Sequence, residues 1–165
     1  MPFITAEHLA SAIQRTRAMN LSAKEKICDE IFEQQPILLS SVLALTKSDV
    51  EGRYLDMLLD LLIAMHLSLK GAGIRLAPVT VDEHETQITR FAAVIKFTAG
   101  LTPEQVEQSI KLYEGFKREP WLLAHVTSTV MSSGVLVDSK PTGNQIVLST
   151  YGLVGSIAGA RQLSN

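Results

Sequence analysis

Asp56 and Asp60 stand four residues apart, a spacing that sets two carboxylates on one face of an α-helix. Buried together, such a pair can hold a hard cation or share one proton. The plainer alternative is an Arg53–Asp56 ion pair with Asp60 solvated on the same stripe. His66 projects from the same segment with Lys70 one turn later. His125 follows Trp121 by four residues, so imidazole and indole can touch. Convergence of Asp56 or Asp60 with His125 would make a polar pocket in apolar surroundings, the mark of a small-ligand- or metal-binding helical enzyme. Asp56, Asp60, His66 and His125 therefore form the candidate polar core site. A lone histidine against aromatic core is also an ordinary packed, hydrogen-bonded residue.

Other reactive patterns fail at a necessary position. A di-metal helical bundle needs Glu-x-x-His. The residues three before His8, His66, His84 and His125 are Thr5, Ile63, Val81 and Leu122. His84–Glu85 begins like a zinc-protease helix, but Ile88 stands where the second histidine belongs. Glu7–His8 and Glu83–His84 suit first helical turns, where Glu favours the positive helix end. A meeting of the two pairs across a pseudo-twofold axis is the alternative. Cys28 excludes an intramolecular disulfide, and its neighbours Asp29 and Glu30 raise a thiol pKa, so it reads as inert. Gly71–Ala72–Gly73 lacks the Lys-Ser/Thr of a phosphate loop. No cofactor and no metal are expected.

The 165 residues carry a net charge of −2 with scattered basic groups, which argues against a phosphate-backbone binder. The segment 23–34, the only possible recognition helix, is itself acidic. The start lacks a basic stretch followed by an apolar run, which points to a reducing cytoplasm.

Start and stop signals predict about eight helices. Thr5 caps the first, with Leu9, Ala12, Ile13 and Thr16 inward. Ser22-x-x-Glu25 opens the second, with Ile27, Ile31 and Phe32 toward the core. Pro36 opens the third. Ser48-x-x-Glu51 opens a fourth that stops at Gly71–Ala72–Gly73, is apolar nearly all round, and belongs at the centre of a bundle. Thr80-x-x-Glu83, Thr102–Pro103 and Glu119–Pro120 open the next three. Residues 134–145 read as a loop, with Thr142-x-x-Gln145 capping an eighth helix that runs to about Arg161. A weaker alternative pairs 135–137 with 146–148 as a β-hairpin.

A pattern in the chain also recurs. Pro2, Leu21 and Pro36 with their surroundings are answered by Pro78, Leu101 and Pro120, the offset growing from 76 to 80 to 84 positions. Each step of four is about one helical turn. Duplication and the reuse of common caps both account for the match. Charge is unevenly spread: only Glu119, Asp138, Lys140 and Arg161 fall in residues 119–165. That segment is either a buried hairpin, a homo-oligomer interface or a membrane-associated element. Its apolar run 146–160 is short of the ~20 residues that span a bilayer. Gly152, Gly155 and Gly159 form a small-residue face, the candidate interface.

The sequence thus predicts one all-α domain over 1–165 forming one bundle, with two pseudo-repeated four-helix halves, 1–76 and 77–165, if the match reflects duplication. It also predicts a noncatalytic helical interaction protein acting as a homodimer or on a protein partner, with no nucleic acid and no membrane.

Overall fold

Thr5 turns the chain into α1 (Ala6–Ala18), its hydroxyl accepting the His8 N–H. α2 (Leu21–Gln34) begins from Asn20, whose Oδ1 accepts the Ala23 N–H at 2.9 Å. Ser22 and Glu25 therefore lie inside α2 instead of capping it, because Asn20 meets the free N–H groups first and caps as well as Ser. Pro36 opens α3 (Pro36–Ala44), where its missing N–H costs nothing. A 3-10 turn, Leu45–Lys47, then closes on Ser48, so Ser48 is not available to start α4 (Gly52–Gly71). Glu51 takes the N-cap position there without a side-chain bond. The α4 stop is as predicted, with Gly73 left-handed at φ 69°.

α5 (Val81–Thr98) and α6 (Pro103–Leu112) both open with reciprocal boxes. The Thr80 N–H donates to Glu83 Oε2 at 2.8 Å while the Glu83 N–H donates to Thr80 Oγ1 at 3.2 Å. Thr102 and Gln105 repeat the exchange at 2.9 and 3.3 Å. α7 (Pro120–Ser133) stops at left-handed Gly134. α8 (Pro141–Gly159) starts at Pro141, so Thr142 and Gln145 lie within it and the loop is shorter than expected. Because 146–148 are helical, the hairpin alternative is excluded. The helix also ends at Gly159, before Arg161.

This computed structural model describes residues 3–98, 100–112, 118–137 and 141–164. Pro2 of the first repeat and the loop charges Asp138 and Lys140 lie outside them. Among the described residues no strand forms. One isolated bridge pairs Leu76 with Gln162. Around it the Ala77 N–H donates to Arg161 O and the Leu163 N–H to Arg75 O, each at 2.8 Å. The fold is all-α, and no described helix is long and apolar enough to cross a membrane.

α4 and α8 form the centre. Every residue of 61–69 and of 150–158 is buried, and the two helices pack on each other. α1 runs along α4, α5 along α8, and α2, α3 and α7 close the remaining sides. Ile31 is the buried residue of α2, whereas Phe32, expected inward, is 59% exposed. The pairing of α1 with α4 and of α5 with α8 follows the proposed halves without confirming a repeat. The two candidate equivalent histidines have different surroundings: His8 meets Thr5 near the surface at 3.0 Å, and His84 is buried on Ser156 at 2.7 Å.

Buried polar groups are mostly answered locally. Thr16, Ser68 and Thr150 donate to the carbonyls of Ala12, Ala64 and Ile146 four residues back. Glu119, fully buried ahead of α7, accepts the Phe3 N–H at 2.5 Å and so anchors the segment before α1.

The small-residue face of α8 is used inside the chain. A Cβ on Gly152 would lie 2.8 Å from Ile88 Cγ1 of α5, and one on Gly155 would lie 2.9 Å from Gln87 Oε1. Close approach was the right physical reading of this face. Gly152 and Gly155 are buried against α5, however, and are not left for a second copy. Gly152→Ala must displace the stem of Ile88, an overpacking cost of about 1–3 kcal/mol that exceeds the ~1 kcal/mol gain in helix propensity. Gly159→Ala meets only the flexible end of Gln87, at 3.3 Å. Urea denaturation is expected to rank Gly152→Ala well below wild type and Gly159→Ala level with it or above. A Gly152→Ala protein as stable as wild type would show that α5 and α8 do not approach this closely.

Candidate functional site

α4 ends at Gly71, and the chain reverses through Gly73 before crossing back over the ends of α2 and α3. Gln35, the residue between those two helices, holds the crossing strand. Its Nε2 donates to Ala77 O at 2.9 Å, and its Oε1 accepts the Val79 N–H at 2.9 Å. The connector is thereby held across a gap, and a cleft of about 300 Å³ remains. Ile31, Leu38, Leu62, Leu69, Leu76 and Ile157 are among its lining residues. This volume is at the lower end for small-molecule pockets, and a mainly apolar lining with few polar groups is their usual composition.

The polar groups sit together at the rim. His66 and Lys70, one turn apart on α4, both reach Glu30 of α2. Lys70 Nζ donates to both carboxylate oxygens at 3.0 and 2.9 Å, and His66 Nε2 lies 3.1 Å from Oε2. These hydrogen bonds, from Lys70 first and then His66, hold the Glu30 carboxyl below its ordinary value. Burial holds the His66 imidazole below 6.5, against the opposing pull of the Glu30 hydrogen bond. His66 is accordingly neutral near pH 7, with Nε2–H as the donor to Glu30. Arg75 lies on the facing connector and lines the cleft.

The four candidate residues do not converge. Asp56 is exposed, and Asp60 is paired with Lys24 at 2.6 Å. Asp60 and His125 do line one shallow cleft of about 170 Å³, together with Arg17 and Thr129. There His125 is held below the ordinary histidine value by burial first and Arg17 second. His66 opens onto the other, apolar-floored cleft. Trp121 is 48% exposed, so it is not the buried aromatic partner expected for His125. Among the described residues no group of three His, Cys, Asp or Glu side chains is placed to hold a metal ion. Burial first, then Asp29 and Asp60, raises the Cys28 thiol pKa.

Glu30, Gln35 and Arg75 were not singled out from the sequence. Glu30 and Lys70 are forty positions apart, and no local periodicity links them. Gln35 before a proline marks only a helix boundary.

The pH response follows from the signs. A histidine held below 6.5 in the fold favours the folded state above that value, and the contribution is lost as pH falls through the folded-state pKa. His66, His84 and His125 all share this direction, each chiefly through burial. Glu30 adds stability that is present above 4.5 and lost below it. Glu119 runs opposite, because burial raises its pKa while the Phe3 and Ile4 N–H groups oppose the shift. Its contribution declines as pH rises above 4.5 through the folded-state value. The urea midpoint is expected to fall on acidification from about pH 7 to about pH 5, less steeply in His66→Gln. Imidazole NMR titration checks the assignment directly: a His66 that titrates above 6.5 contradicts it. Comparison of the chain with protein-family models, with curated proteins and with solved structures returns no match.

Proposed function

We propose that this chain is a noncatalytic small-molecule-binding helical protein, with its site in the cleft enclosed by α2, α4 and the connector that follows α4. One observation carries the reading: a cleft of about 300 Å³ with an apolar floor has its polar groups gathered at one rim, in the His66–Glu30–Lys70 cluster and Arg75. The cleft is large enough for about ten non-hydrogen atoms at the ~30 Å³ each occupied by a water. A binding role fits His66, whose Nε2–H is committed to Glu30 and beside which the lining holds no hydroxyl or thiol, while the Lys70 amine is itself tied to Glu30.

Methyl NMR on the full chain tests this reading. With a panel of eight-carbon carboxylates, amines, amides and alcohols, the methyl signals of Leu38, Leu62, Leu69 and Ile157 are expected to move together for at least one class. In Gln34→Trp, which fills the exposed rim, they are expected to stay in place. Four signals unmoved by the whole panel at millimolar concentration would remove the proposal.

A second reading, a homodimer or protein-partner contact, has its own support on α7. Trp121 and Met131 are exposed on that helix, and Val137 beyond its end is 88% exposed. A short, uncharged helix with exposed aromatic and aliphatic groups is the type of patch that protein contacts cover. The expected result from light scattering after size exclusion is a dimer that Trp121→Glu converts to monomer. A wild-type monomer throughout the micromolar range rules the dimer out.

A further inference from the structure

We infer that the ligand of this cleft is a small amphiphile with a single anionic head, bound head-outward between Lys70 and Arg75 with its apolar part on Leu62, Leu69 and Ile157. The inference rests on the binding reading above and adds the chemical class.

The charge arrangement at the rim is one-sided. Glu30 is the acid of the cluster, and both its oxygens are already taken by Lys70, with His66 on one of them. It has little capacity left for a cationic ligand. Lys70 supplies three donors and stays more than half exposed, so it can turn one toward the cleft without leaving Glu30. Arg75 faces no acidic partner among the described residues, and its guanidinium presents a fork that fits a carboxylate with two bonds. With His66 neutral, Lys70 and Arg75 outweigh Glu30 by one positive charge. Arg75 is exposed at the rim, where a carboxylate head gains a charge-assisted, two-bond pairing that a neutral head of the same size cannot make.

The backbone around Arg75 is fixed from behind. Its carbonyl accepts the Leu163 N–H at 2.8 Å, and its neighbour Leu76 bridges to Gln162. The donor fork is thus mounted on a wall tied down on one side by Gln35 and on the other by the tail after α8. Such anchoring lowers the ordering cost of binding. Floor and rim together call for a chain or ring of a few apolar carbons ending in one negative group.

Octanoate, octanamide and octylamine share a chain length and differ in the head, and each is titrated into the full-length protein by calorimetry. Octanoate is expected to bind at least tenfold tighter than octanamide, and octylamine more weakly than either. Arg75→Glu is expected to abolish the tenfold preference without lowering the melting temperature, and Arg75→Lys to keep most of it. Octanamide binding as tightly as octanoate overturns the anionic head and leaves the binding reading standing. Absence of heat from all three, with the cleft methyl signals unmoved, overturns both.

Discussion

Two neighbouring helices with no polar side dictate this architecture. α4 over 61–69 and α8 over 150–158 are buried on every face, and they lie against each other. A helix apolar all round is stable in water only when other elements surround it. Each fully covered Leu, Ile or Val contributes on the order of 1.5–3 kcal/mol relative to exposure. Among the described residues α1, α2, α3, α5 and α7 act as a sheath, with α6 packed on α5, and their amphipathic faces are as wide as that duty requires. In α1, Leu9, Ala12 and Thr16 are buried, and the rest of the helix is exposed or half-buried.

Covering the pair so tightly constrains every polar or bulky group in the centre. The hydroxyls of Ser68 and Thr150 donate to their own helices, because both side chains are fully buried and need a partner inside the fold. His84 is caught between α5 and α8 with Ser156 on one nitrogen and, among the described residues, no hydrogen-bond partner on the other, and burial keeps it neutral. Gly152 and Gly155 exist at the same contact because α5 approaches where a methyl group would strike Ile88 or Gln87. Helix propensity argues against three glycines in α8. Packing against α5 accounts for Gly152 and Gly155, whereas Gly159 lies exposed at the helix end.

The signals that were legible are local ones. Prolines at first turns, the Thr80 box, the Thr102 cap, the glycine stop of α4 and its nearly all-round apolar surface could be read directly, since each depends on neighbours within a turn or two. Where local signals competed, the structure decided by position: Asn20 displaced Ser22, and the 3-10 turn consumed Ser48. Helical periodicity in 146–148 outweighed β-propensity because Ile146 and Val147 are buried within a helix whose 150–158 stretch is wholly buried. The site was harder to read. His66 was singled out as a polar group on an apolar helix, but its partner Glu30 comes from a helix whose acidity was read only as a bar to phosphate. Asp60 is satisfied by Lys24, another partner that sequence separation conceals.

The cleft follows from the same constraint at the point where the sheath is incomplete. α2 ends at Gln34, and Pro36 sends α3 in a new direction, so the last turn of α4 outruns its cover. The connector after Gly73 closes most of the gap but is held at a distance by the side chain of Gln35. The floor of that gap is the same apolar surface that the rest of the fold hides: Leu62 and Leu69 of α4 and Ile157 of α8 line it while staying no more than 8% exposed. Its rim is charged because the acidic outer face of α2 meets Lys70 at the negative end of α4, where a cation is favoured. Grease below and charge above thus arise from one geometric shortfall. A bound amphiphile would complete the cover of the central pair, which couples occupancy of the cleft to stability of the whole bundle.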